Sequence, residues 1–142
     1  MPLKIKKITP MFTGIVTTGE RYKEDMYDEG IIIAKKGDLK TYQEVIAVGN
    51  AVRGVNVGDK VMINVANYAV KRYDKNSIQN DMDNNPTIRF NFNWVQIDDE
   101  EGNPKDCLLL NDRDILFIFE GEEVHGVKSP IVVPEKKGLI LN

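Results

Sequence analysis

One cysteine, one histidine and one tryptophan occur in 142 residues, and no class of residue is present in strong excess. With Cys107 alone, no internal disulfide can form, which fits a reducing compartment. A zinc site needs three or four nitrogen and sulfur ligands, and His125 with Cys107 cannot supply them, so no metal is expected. No apolar run approaches the roughly 20 residues of a membrane helix. The start MPLKIKKITPMF lacks the roughly 7 to 15 apolar residues of a signal-peptide core. A soluble, cytoplasmic protein without a membrane partner is therefore expected. The net charge is only −3, with the basic start at Lys4, Lys6 and Lys7 offset elsewhere, so no nucleic-acid partner is expected.

Catalytic signatures are missing too. Neither GxxxxGK[ST] nor GxGxxG is present, so no phosphate loop is encoded. No Ser-His-Asp order and no paired-carboxylate constellation stands out. Asp81, Asp83 and Asn85 have the odd-position spacing of a calcium loop. However, Pro86 stands where that loop needs glycine and Phe92 where it needs glutamate. The acidic run of residues 98–101 reads as a solvated turn. No cofactor and no enzymatic activity are expected.

What is abundant is strand-forming sequence. Val, Ile, Tyr, Phe and Thr cluster in short runs between Gly, Asn, Asp and Pro. Strands are predicted at residues 3–8, 14–18, 43–48, 60–64, 68–73, 87–97, 107–110, 115–119, 131–133 and 139–141. Residues 20–29 are mostly charged with little apolar face, and read as loop. The longest strand pattern is 87–97, where Ile88, Phe90, Phe92 and Trp94 share one parity against Arg89, Asn91 and Asn93. One face should be buried, and the switch to Val95 and Ile97 predicts a β-bulge near Trp94. The polar stretch 98–106 should return the chain as a hairpin into 107–110, where Cys107 adjoins three leucines and reads as a buried small apolar group.

The centre of the chain is Thr41 to Asn64, TYQEVIAVGNAVRGVNVGDKVMIN. Val45 and Ala47 alternate with Ile46 and Val48, so both faces of this strand are apolar. Gly49, which accepts positive φ, and Asn50 predict a turn. Gly58-Asp59 predicts another, after which Val61 and Ile63 share a face.

These segments resemble the GroES-type (chaperonin-10) co-chaperonins. Gln43-Glu44-Val45-Ile46-Ala47-Val48-Gly49 is similar to that family's "GEVLAVG" strand. Val55-Asn56-Val57-Gly58-Asp59-Lys60-Val61 is similar to its "VKVGDKV". Asp112 to Glu120, DRDILFIFE, is similar to its closing "SDILAIVE", and Ile8-Thr9-Pro10-Met11 to its opening "IRPL". Gly30-Ile31-Ile32-Ile33 is similar to the "GIVL" of the mobile loop and lies a short interval before Gln43. The likeness covers rather more than half of the chain. It implies an all-β, GroES-like, partly open β-barrel in a single domain spanning 1–142. Two additions to the minimal barrel stand out. One is a β-hairpin insertion at about 74–106; the other is a C-terminal extension at about 121–142, too apolar for a disordered tail.

The function implied by the resemblance is that of a co-chaperonin, a homo-oligomeric, heptameric lid that assists protein folding. Its partner would be a chaperonin, docked through Gly30, Ile31, Ile32 and Ile33. Its subunit interface would join Leu3, Ile5 and Ile8 to Ile115, Leu116, Phe117, Ile118 and Phe119 of a neighbour. The pattern of three isoleucines by itself favours an ordinary core strand, and only the position relative to Gln43 sets the docking reading level with it. The charged residues 20–29, with Tyr22, Met26 and Tyr27, depart from the Gly-, Ser- and Thr-rich loop of the family and could order it. A second function also fits the added segments. This is a structural GroES-fold module of a larger assembly, such as a phage capsid-associated or decoration protein carried in a virion.

Overall fold

In the computed structural model, residues 3–72 and 87–124 are described. They form ten strands: β1 (Gly14–Thr18), β2 (Met26–Asp28), β3 (Ile31–Ala34), β4 (Tyr42–Val48), β5 (Lys60–Ile63), β6 (Ala69–Arg72), β7 (Thr87–Phe90), β8 (Asn93–Asp98), β9 (Pro104–Asn111) and β10 (Ile115–Phe119). Among the described residues the only helical pieces are short 3-10 turns at Val65–Tyr68 and Asp112–Asp114. The all-β expectation holds. Six strands make an antiparallel sheet in the order β10-β5-β4-β1-β9-β8, and β2–β3 and β6–β7 form two separate ribbons. The main sheet is open, with β10 and β8 at its edges.

The chain divides into two compact units. The larger draws on Met1–Gly19 and Thr41–Phe119, the smaller on Glu20–Lys40 and Glu120–Asn142. In the larger, β1 is central, flanked by β4 and β9, and Ile15, Val16 and Thr17 are wholly buried. The strand GIVTT is covered on both faces, and its buried Thr17 hydroxyl is satisfied by donating to the Thr18 carbonyl (2.9 Å). Ile15, Val45 and Val61 pack together, with Val48, Val52, Val55 and Ile115 against them. Full burial of each such side chain stabilises by about 1.5–3 kcal/mol. Cys107 is buried beside Leu108. The predicted turn at 98–106 does close a hairpin, with Asp98 opposite Pro104.

Gly58 adopts φ 95°, as its turn requires. Gly49 has a different reason to be glycine. A Cβ there would lie 2.2 Å from the carbonyl oxygen of Phe12. The positive φ falls on Phe12 itself, at 55°. The Phe12 N–H donates to Asn50 Oδ1 (3.1 Å), and its carbonyl accepts from the Ala51 N–H (2.9 Å). The Gly49 N–H donates to the Gly14 carbonyl (2.8 Å). Two backbones thus approach so closely that no side chain fits between them.

Several expectations are corrected. Residues 3–8 form no strand; the Ile5 carbonyl accepts one bond from the Asp98 N–H (2.8 Å). Lys4 Nζ also lies 3.2 Å from the buried Asp98 Oδ2, without hydrogen-bond alignment. Residues 20–29 are not simply loop, since they contain β2 and a bridge from Arg21 to Leu39. Residues 87–97 are not one bulged strand: β7 pairs with β6, β8 pairs with β9, and the ladder breaks at Asn91 and Phe92. Their shared-parity face is not buried either, for Ile88, Phe90 and Trp94 are exposed. A two-stranded ribbon has no third layer to cover it, and an edge strand is covered less than a central one. The β8 register is unbroken from Asn93 to Asp98, so no bulge lies at Trp94, while register shifts fall in β1, β2 and β10. The strands predicted at 131–133 and 139–141, Asp81, Asp83 and Asn85 of the rejected calcium loop, and His125 lie outside the described residues.

Candidate docking surfaces

Within the smaller unit, β2 and β3 pair antiparallel, with Asp28 opposite Ile31 and Tyr27 opposite Ile32. Only Glu29 and Gly30 connect them, at φ 51° and 84°. Two successive positive-φ residues make the turn whose twist matches a β-ribbon. The base of the ribbon is closed by backbone bonds from Tyr22 to Asp38 (2.9 Å), Gly37 to Tyr22 (2.8 Å) and Lys40 to Glu20 (3.0 Å). Two carboxylates hold the descending chain: the Lys36 N–H donates to Asp25 Oδ1 (2.8 Å) and the Lys35 N–H to Asp38 Oδ2 (2.9 Å). Lys40 pairs with Glu123 (3.0 Å) and lies 5.3 Å from the centre of the Tyr22 ring.

On this ribbon Ile31, Ile32 and Ile33 are 70%, 44% and 65% exposed, while Met26 is buried. They are therefore strand residues, yet not core residues. Strand alternation puts Ile31 and Ile33 on one side and Ile32, beside Tyr27, on the other. Gly30 serves the turn and has no side chain to offer.

The residues expected at a subunit interface fall on two parts of the larger unit. β10 is hydrogen-bonded to β5 on one side and has no strand on the other among the described residues. Leu116, Phe117 and Ile118 are exposed, with Ile115 and Phe119 half-buried. Beside β10 runs a groove of about 500 Å³, lined by Arg53, Val55, Arg113, Ile115, Phe117 and Ile118. Leu3 is exposed and Ile5 and Ile8 are half-buried. Ile8 lines a second groove, of about 400 Å³, with Pro10, Ile46, Val48, Val57 and Ile97. The structure does not bring Leu3, Ile5 and Ile8 onto β10 of the same chain, since no ladder joins them.

Two features were not foreseen. Phe90, Phe92 and Tyr68 form a row of rings, with centroids 6.1 Å apart for Phe90–Phe92 and 4.8 Å for Tyr68–Phe92. The second is the buried Asp114. Its Oδ1 accepts from Asn67 Nδ2 (2.8 Å), and its Oδ2 accepts from Tyr68 OH (2.5 Å) and the Asn111 N–H (2.9 Å). Its carbonyl also accepts from the Asn64 N–H (2.8 Å). One carboxylate thus ties the turn before β6 to the turn before β10. Burial, then the adjacent Asp114 carboxylate, hold the Tyr68 phenol well above its ordinary range, with Arg113 opposing. Burial, aided by Asp106, pushes the Cys107 thiol up. The spacing of Asn111 and Asp114 is that of a capping box and could have signalled the first half of this clamp. Nothing in the sequence signals its reach to Asn67 and Tyr68, 47 and 46 residues away.

Among the described residues, no group of three or more His, Cys, Asp or Glu is placed to hold a metal ion. No helix there is long and apolar enough to cross a membrane. No protein-family model and no curated protein matches the chain.

Proposed function

We propose that this chain is a co-chaperonin-like ring subunit, built on a GroES-like partly open barrel, that caps a chaperonin and assists protein folding. The observation that carries this reading is the exposure of Ile31, Ile32 and Ile33 on a ribbon that belongs to its own compact unit. Three aliphatic side chains in water are unfavourable without a partner to cover them. The segments that resemble the family also adjoin in space: Gln43 and Val61 face each other on β4 and β5. The open edge of β10, with its exposed apolar residues, suits strand addition by a neighbour's residues 3–8. Several tethered contacts in a ring convert weak individual docking into useful avidity.

Co-sedimentation with a purified chaperonin in the presence of ATP tests the docking role. Wild type is expected to bind and Ile32→Asp to bind more weakly. Equal binding of the two would refute docking through this segment. Light scattering is expected to show a closed ring near seven subunits.

The exposed Ile88, Phe90 and Trp94 favour a second reading, since a minimal lid has no need of them. Under it, the chain is a structural module of a larger assembly, such as a virion component. A monomer or trimer by light scattering, with loss of assembly when residues 121–142 are deleted, would support it over the lid.

A further inference from the structure

The segment read above as a docking element is more ordered than a docking tripeptide requires. Its two strands are paired, its base is closed by three backbone bonds, and Asp25 and Asp38 clasp Lys36 and Lys35. A linear recognition segment would need none of these.

The turn carries a second clue. Glu29 sits at φ 51°, where Asn, Asp or Gly is far easier to accommodate. A strained residue on an exposed tip points to a use for its side chain. Glu29 and its neighbour Asp28 are both exposed, and they place two carboxylates beside the most exposed isoleucine, Ile31. A surface that joins carboxylates to aliphatic groups is complemented by an apolar groove with cationic groups at its rim.

Resting on the docking reading, we propose that the β2–β3 hairpin is a preformed docking wedge. It meets its partner already folded, presenting its isoleucines to an apolar protein groove and its Asp28–Glu29 tip to lysine or arginine at that groove's edge. The ordering entropy is then lost when the chain folds and not when it docks, so less of the contact energy is consumed on binding. The partner is recognised as one rigid surface meeting another.

The experiment uses the full chain titrated into a purified chaperonin ring with ATP, alongside three variants. Glu29→Pro forbids positive φ and breaks the turn while leaving every isoleucine in place. Glu29→Gln keeps a side chain of the same size and removes the charge. The double variant Ile31→Asp/Ile33→Asp removes the aliphatic surface. We expect Glu29→Pro to weaken binding by roughly tenfold or more. Glu29→Gln should weaken it by about two- to fivefold, with a flatter salt dependence. Wild-type binding by Glu29→Pro, with loss of binding in the isoleucine double variant, overturns the preformed wedge and leaves the docking reading intact. Unchanged salt dependence in Glu29→Gln overturns the cationic rim. If wild type fails to bind, or the double variant binds normally, the docking reading falls and this inference with it. Amide exchange on the free wild-type chain is an independent check. Protection at the paired strands Met26–Asp28 and Ile31–Ala34 is expected, and free exchange there would overturn preformation.

Discussion

Asp114→Ala is the sharpest perturbation of the larger unit. The carboxylate is 4% exposed and accepts from Asn67, Tyr68 and the Asn111 N–H. Removing it leaves three donors without their acceptor. Hydrogen bonds to a charged group contribute about 1.5–3 kcal/mol each. The exposed Asn67 side-chain amide can turn to water and the Asn111 backbone N–H sits at an exposed residue, whereas Tyr68 is half-buried and cannot do so freely. The sum is therefore less than three full bonds, about 2–4 kcal/mol. Asp114→Asn, with one acceptor oxygen for two positions, should cost about half of that. Tyr68→Phe, which removes one donor, should cost about 1 kcal/mol. Urea unfolding with all chains at one protein concentration measures all three. With a slope of about 1–3 kcal/mol/M, Asp114→Ala should move the midpoint down by about 0.7–4 M at unchanged slope. A change within about 0.5 kcal/mol, ordinary for a surface substitution, would refute the clamp. A double-mutant cycle with Tyr68→Phe should give coupling near 1 kcal/mol, and additivity would refute the pairing itself.

Gly49→Ala sets a Cβ against the Phe12 carbonyl and should destabilise by about 2–4 kcal/mol, well above Gly54→Ala, whose added methyl meets only open space and whose cost is the strain of positive φ. Equal thermal shifts for the two would refute the close-approach account. Phe12→Gly relieves φ 55° at a side chain 66% exposed, so relief of strain and added unfolded-state entropy nearly cancel. A loss above about 2 kcal/mol would show that the Phe12 ring packs somewhere in the folded chain. The Tyr68 phenol titrates higher folded than unfolded. Its contribution is thus fully present below about pH 10 and is lost as pH rises through the folded value. Tyr68→Phe should flatten the alkaline fall of stability, and an unchanged alkaline slope would count against the assignment. Ile15→Ala, in a wholly buried position, should cost about 2–5 kcal/mol in the same assay, and a smaller loss would place Ile15 outside the core.

Much of the candidate site was legible as a pattern. The three isoleucines between charged flanks stand out by composition, and β-forming runs recover most of the main sheet. That follows because strand propensity and alternation act between neighbours in the chain. The same locality misled where exposure was at stake. Ile88, Phe90 and Trp94 have the parity of a buried face, but parity shows only that residues share a side, and among the described residues that side is left exposed. Residues 20–29 look like loop because their charges conceal a ribbon whose order comes from bonds to residues 31–40.

By itself, then, the sequence determined the strand-rich class, the turns at Gly58 and residues 98–106, and the apolar character of Val45, Val61 and Ile15. Tertiary structure alone decided why Gly49 is glycine, where Asp114 finds its partners, and that Ile31–Ile33 face water from a paired strand. Those three outcomes depend on groups brought together from distant parts of the chain or on faces left uncovered. Neither the distance across a fold nor the absence of a covering layer is written in local periodicity.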